Sequence, residues 1–349
     1  MIDLHAHPSL PLLGTAWRRG VQGFRPPAFE AGEPAGKASP GDGPPAPGHD
    51  GLRGYGAAFY ETYLLRPEAA RKRLFRSLAA FRTRLRDADR GGQGDPAAPS
   101  IRLLLSASDL KAAVSSPASE ACFLAVESMR YLRDPGDVAR LWEQGVRSLQ
   151  PIHFLDTRWG GSSREGLLPE SRTGLTGPGR EMLAEMARLG MILDLAHMSR
   201  RNAEACLAAY PGPVMCSHTG LRSLKPVSRN LSEELAEEIF RRQGIVGVTC
   251  WKHLLGPPPS PGKGPDSPRA AWTRAYCATI AAFADLSPGA RVCVGSDRGA
   301  PILVPAWFYG PDHRAEMETC LAGLGWDPDR RRAFFSGHAL EFLARSLPA

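Results

Sequence analysis

The chain has 349 residues, 43% of them hydrophobic, so it can fill one large barrel or two ordinary domains and is not disordered throughout. Its formal charge is +7, but only six of the 43 basic residues are lysine and 37 Gly and 32 Pro accompany them. That is a compositional bias rather than a nucleic-acid surface, since no aromatic–basic interleaving supports one.

The first apolar run ends in Asp3-Leu4-His5-Ala6-His7. Alternate side chains of a strand share a face, so His5 and His7 project together and can chelate a divalent metal. The chain opens on this motif, with neither a basic n-region nor an apolar h-region, so no signal peptide is expected. No stretch is long and apolar enough to span a bilayer. Seven cysteines, an odd number without a C-x-x-C pair, suggest a reducing compartment. Cys122, Cys216, Cys250 and Cys293 lie in apolar runs and read as small buried hydrophobes. A cytoplasmic location is the expectation.

Residues 31–54, rich in Pro, Gly and Ala, form a surface or disordered insertion before a strand near 55–61. The basic stretch Arg66–Arg90 carries Leu74, Leu78, Phe81 and Leu85 at i, i+4, i+7 and i+11, an apolar helical stripe whose arginines are its wet face. The run Ala121-Cys-Phe-Leu-Ala-Val-Glu127 then places a carboxylate where burial demands a partner or a metal. A surface glutamate just past a strand is the alternative. The next run, Val146 to His153, sets His153 where it can donate to a developing oxyanion.

A helix over 179–189 brings Met182, Met186 and Leu189 onto one face and stops at Gly190. The strands that follow it, Gly190–His197 and Pro213–His218, each end in a histidine. Alone, each reads as a structural residue. With His5, His7 and Glu127 they make four imidazoles and one bridging carboxylate, a ligand set for two divalent ions. Arg229, eleven residues after His218, is a candidate bidentate clamp for a substrate carboxylate. Ser232 to Gln243 has a capping serine, acids in its first turn and arginines in its last, hence a helix. A second Pro/Gly-rich loop lies near 256–268. The final strand leads to Asp297, either a general acid or base or a turn residue of Gly-Ser-Asp-Arg-Gly.

Eight apolar runs, near 1–7, 55–61, 121–127, 146–153, 190–196, 213–217, 244–250 and 291–296, alternate with helices. They predict an α/β fold, a closed (β/α)8 TIM barrel over residues 1–349 as one unit, with its metal site at the carboxyl ends of the strands. A doubly wound sheet would need a Gly-rich phosphate loop after the first strand, which is absent.

The order of these pieces resembles the amidohydrolase superfamily of metal-dependent barrels and, within it, the renal (membrane) dipeptidase family of zinc peptidases. Gly190-Met-Ile-Leu-Asp-Leu-Ala-His197 is similar to the family's Gly-Met and Asp-Leu-Ser-His phrase. Ser217-His218 with Arg229-Asn230, Gly145-Val146-Arg147 leading to Ile152-His153, and Gly295-Ser296-Asp297 look like its later motifs. The resemblance covers Met1 to about Leu343, apart from the two Pro/Gly-rich loops. It implies a dipeptidase with two zinc ions, His5 and His7 on one, His197 and His218 on the other, and Glu127 bridging both. His153 would polarise the substrate carbonyl, Arg229 hold the terminal carboxylate, and Asp297 carry the proton to the leaving amine after attack by a zinc-bound hydroxide. A small peptide is the implied partner, with a homodimer left open, and neither nucleic acid nor membrane is expected. Three features depart from the family: His7 in place of its aspartate, Arg298-Gly299-Ala300 after Asp297, and Ser128-Met129-Arg130 after Glu127. The alternatives are another hydrolase of the superfamily (a TatD-like phosphodiesterase or an amidase) and a catalytically silent binding module.

Overall fold

Short apolar runs separated by helices must pair in parallel, and the computed structural model shows that pairing. It describes residues 1–6, 53–59, 65–91, 101–115, 120–166, 168–259, 267–297 and 311–349. His7 and most of both Pro/Gly-rich stretches lie outside the described residues.

The strands are β1 (Ile2–Ala6), β2 (Arg53–Phe59), β3 (Ile101–Leu103), β4 (Glu120–Glu127), β5 (Val146–Gln150), β6 (Ile192–Asp194), β7 (Val214–Thr219), β8 (Ile245–Val248) and β9 (Val292–Val294). Parallel pairing runs β1-β2-β4-β5-β6-β7-β8-β9 and returns to β1 through Asp3 opposite Val294, closing an eight-stranded barrel. Closure leaves no unpaired edge among these strands. All eight expected strands are present, some shorter than expected. β2 begins at Arg53, so Arg53 and Gly54 belong to the sheet rather than to the loop before it. β3 was not expected, because three residues carry no periodic signal. It pairs with Glu120–Cys122 of β4, on the stretch before β5 takes over at Leu124.

The flanking helices follow from their sequences. In α1 (Pro67–Gly91) the stripe residues Leu74, Leu78, Phe81 and Leu85 are all buried. Two further helices, α2 (Ala107–Val114) and α3 (Pro135–Glu143), precede α4 (Gly177–Leu189), which stops where Gly190 adopts φ 71°. α5 (Arg200–Ala209) and α6 (Glu233–Arg241) follow, the latter capped by Ser232, whose Oγ accepts from the Leu235 N–H. α7 (Pro268–Ala284), α8 (Pro311–Gly323), α9 (Pro328–Arg332) and α10 (His338–Ser346) complete the described helices. No helix among the described residues is long and apolar enough to cross a membrane.

Two apolar clusters divide the strand residues by parity. One joins Ala121, Phe123 and Ala125 with Ile192, Met215, Ile245 and Cys293, and is closed by Leu110 of α2 and Phe342 and Leu343 of α10. The other takes Cys122, Leu124 and Val126 with Leu193, Val246 and Val292 and packs them on the surrounding helices. The first is the barrel interior, and its rows turn polar at the carboxyl end: Glu127 follows Ala125, Asp194 follows Ile192, Ser217 follows Met215. Here the interior is also narrow, for a Cβ on Gly247 or Gly295 would come within 1.9 or 2.0 Å of the Ser217 carbonyl. The barrel thus delivers a ring of polar side chains to one mouth.

Candidate metal centre

Strand ends alone do not aim the histidines. The register of β1 against β2 shifts between Asp3 and Ala6, and that of β7 against β8 between Cys216 and Thr219. Such irregularities re-aim side chains, and His5 and His218 lie within them. Three other residues at the mouth have left-handed backbone: Ser128 (φ 79°), His197 (φ 65°) and Asp297 (φ 56°). Each such non-glycine conformation costs about 1–2 kcal/mol and clusters at functional sites.

The result is a tight convergence on one oxygen. Glu127 Oε1 lies 3.2 Å from His197 Nε2, 3.5 Å from His153 Nε2, and 3.8 Å from the Nε2 atoms of both His5 and His218. All five side chains are buried, which excludes the surface-glutamate reading of Glu127. Gln150 also donates to Oε1, at 3.2 Å. Asp297 Oδ1 lies 3.8 Å from His5 Nε2 on the same side of the site. Its backbone N–H donates to the His5 carbonyl at 2.9 Å.

Hydrogen bonds on the far side of the rings decide which nitrogen each offers. Ser217 Oγ lies 2.8 Å from His218 Nδ1 and 3.3 Å from His5 Nδ1. A hydroxyl oxygen can accept from both, which leaves both Nε2 lone pairs directed at Glu127. His197 Nδ1 lies 2.5 Å from Glu165 Oε1, and its Nε2 is 2.8 Å from His218 Nε2. A carboxylate behind an imidazole fixes its tautomer and aims the opposite nitrogen at a cation.

Electrostatics agree. Burial lowers His218 well below the usual imidazole range and brings His153 to about 4, so both are neutral near pH 7. Burial alone would raise Glu127, but His153, His5 and His197 around it hold its carboxyl well below the usual range. For His197, burial and Arg229 act to lower the pKa, and Glu165 and Glu127 outweigh them to raise it. A cation supplies the positive charge that such anions select, and this donor set of imidazole nitrogens around a shared carboxylate fits one. Among the described residues, two groups of ligand atoms lie within 4.8 Å of one another, one of Glu127, His197 and His218 and the other of His5, Asp194 and His218.

Arg229 lies behind the imidazoles, not among them. Its Nη2 donates to the His218 carbonyl at 3.0 Å and its Nε is 3.3 Å from Glu165 Oε2. Glu165 itself had no signal in the sequence, since it belongs to a loop (Ser162-Ser163-Arg164-Glu165) without periodicity or cap. Asp194 lies three residues before His197, at the end of β6. It accepts from the backbone N–H groups of Ala196 (3.1 Å) and Ser217 (3.0 Å), tying β6 to β7 beneath the histidines. Asp3 does the same between β1 and β9, accepting from the N–H groups of His5 and Ser296.

A dipeptidase of Aspergillus oryzae (Dipeptidase aclJ) is 31% identical over 139 residues, 39% of this chain and 32% of that relative. The chain spans about a third of the length of the curated relatives it matches. The fold is shared with the crystal structure of dipeptidase AC, a metallo peptidase of family M19 (TM-score 0.71, 19% identity, 100% of this chain and 98% of that one). It is also shared with a metallo peptidase from Rhodobacter sphaeroides liganded with a phosphinate mimic of the dipeptide L-Ala-D-Ala (TM-score 0.70, 17% identity, 99% and 98%). The profile of the membrane dipeptidases matches residues 55–297, the segment that runs from β2 to Asp297, and the chain therefore belongs to the membrane dipeptidase family, peptidase family M19.

Proposed function

We propose that this chain is a metal-dependent dipeptidase that hydrolyses the peptide bond of dipeptides or dipeptide-like amides. Two zinc ions would be held by His5, His7, Glu127, His197 and His218, in one barrel spanning residues 1–349. The observation that carries the reading is the approach of four imidazole Nε2 atoms to a single buried oxygen of Glu127, within 3.2–3.8 Å. Family membership and the dipeptide mimic bound by the Rhodobacter neighbour point to the same substrate class.

When bound, the zinc ions supply Lewis acidity and a water of lowered pKa. The chain's own residues divide the remaining work. Arg229 binds the C-terminal carboxylate of the dipeptide, as a guanidinium held in place by Glu165 and the His218 carbonyl. His153, neutral because burial lowers it to about 4, donates a hydrogen bond to the carbonyl oxygen as charge develops there. Asp297, at the mouth beside His5, takes the proton of the attacking water and delivers it to the leaving amine. Seven free cysteines, six of them buried, suit a reducing cytoplasm.

Purified protein loaded with zinc, assayed against L,L- and L,D-dipeptides and their C-terminal amides, tests the reading. It should hold close to two ions per chain and cleave dipeptides with a free carboxylate. A zinc-replete chain that cleaves none of them overturns it.

A further inference from the structure

The turn that carries Glu165 is built to hold two partners at once. Arg164 (φ 53°) and Glu165 (φ 56°) are consecutive left-handed residues, and the Glu165 side chain is only 4% exposed. Its two carboxylate oxygens go to different residues: Oε1 to His197 Nδ1 at 2.5 Å, and Oε2 to Arg229 Nε at 3.3 Å. The backbone of the same turn grips the same two segments. The Ser163 N–H donates to the His197 carbonyl at 2.8 Å, and Ser228 Oγ, next to Arg229, donates to the Ser163 carbonyl at 2.7 Å. Asp156 anchors the turn from behind, accepting from the Ser162 N–H at 2.9 Å and the Arg164 guanidinium at 2.8 Å. Backbone strain that is held this firmly marks a position whose side chain must point one way.

We propose that Glu165 is a positioning residue that sets the zinc-facing His197 and the carboxylate-binding Arg229 with one carboxylate, so that metal affinity and recognition of the substrate carboxylate are linked in this chain. The inference rests on the roles given to His197 and Arg229 above. Glu165 touches neither zinc nor substrate. Its Oε1 accepts the Nδ1 proton of His197 and leaves Nε2 as the ligand, while its Oε2 forms the ion pair that holds the guanidinium in place for a dipeptide carboxylate.

Glu165→Gln keeps the size of the side chain and removes its charge. Zinc affinity of the full chain, read by chelator competition without substrate, should fall roughly 10- to 100-fold for one of the two ions. KM for a dipeptide with a free carboxylate should rise about 10-fold, with KM for its C-terminal amide unchanged and kcat at saturating zinc within a few-fold. In an Arg229→Gln background the substitution should add nothing to KM but still weaken zinc. That double variant carries no unpaired guanidinium, so it keeps the question open to measurement if Glu165→Gln alone fails to fold. Unaltered zinc affinity, or equal losses on the free and amidated substrates, overturns the proposal. If the wild-type chain cleaves no dipeptide, the proposed activity falls, and the zinc comparison alone decides the role of Glu165.

Discussion

On one flank of Glu127, His197 has its two ring nitrogens engaged at 2.5 and 2.8 Å by Glu165 and His218, while on the other flank His5 meets Glu127 and Asp297 at 3.8 Å. His5 is held without a charged partner behind its ring: the Ser217 hydroxyl lies 3.3 Å from its Nδ1, and its backbone donates to Asp3 at 3.1 Å and accepts from the Asp297 N–H at 2.9 Å. The late flank is therefore set by buried side-chain charge, and the early flank by a neutral hydroxyl from β7 and by the closure of the barrel between β1 and β9. A carboxylate fixes a ring's tautomer and orientation by charge as well as by hydrogen bonding, whereas a shared hydroxyl does so by hydrogen bonding alone and a backbone anchor fixes only where the side chain starts.

Substitutions that strike both flanks or one should separate them. Glu127→Gln removes the anionic oxygen both flanks share. Turnover should drop roughly 1,000-fold or more, with loss of both ions on metal analysis; retention of two ions would deny Glu127 a bridging place. Asp297→Asn acts on the early flank without removing an imidazole, so kcat should fall about 100- to 10,000-fold at unchanged zinc content. Loss of zinc there would make Asp297 a ligand rather than a proton carrier. Arg229→Ala acts behind the late flank, and KM for free-carboxylate dipeptides should rise roughly 10- to 100-fold, a charged hydrogen bond's worth. An equal loss on the amide would remove the carboxylate clamp.

The smallest effect is on stability. His153 beside the late flank is lowered to about 4 from an ordinary 6.5. Between those values the unfolded chain takes up a proton that the folded, metal-free chain refuses, so stability rises with pH across that window. From pH 7.5 to 5 the share of His153 in the loss should be about 2 kcal/mol in urea unfolding, added to that of His218, which burial also keeps neutral. His153→Gln should make that dependence shallower by its share, and an unchanged slope would show that His153 titrates alike in both states.

Much of this barrel was legible because its strands are short apolar runs ending in chemistry. The run to Glu127, the runs to His197 and His218, and the last run to Asp297 each name a residue that the fold brings to one mouth. The stripe Leu74, Leu78, Phe81 and Leu85 announced α1, and Ser232 announced the start of α6. β3 stayed invisible because three residues carry no period, and its place depends on β4 being longer than its overlap with β5. Glu165 stayed invisible for a different reason. It sits 32 residues before His197 and 64 before Arg229, and nothing local in Ser-Ser-Arg-Glu marks a loop carboxylate as shared between them. His7 lies outside the described residues, so its pairing with His5 rests on the strand alternation and the family resemblance.

Periodicity and strand-end chemistry, both local properties of a chain, were sufficient to anticipate the barrel, the order of its eight closing strands along the sequence and four strand-end residues, His5, Glu127, His197 and His218, that the fold brings to one mouth. Only the tertiary structure decided which nitrogen each imidazole presents, that Arg229 stands behind the histidines, and that one loop carboxylate serves both. Those are contacts between residues far apart in sequence, made by register shifts and left-handed turns that take their energy from packing and leave no repeating pattern in the chain.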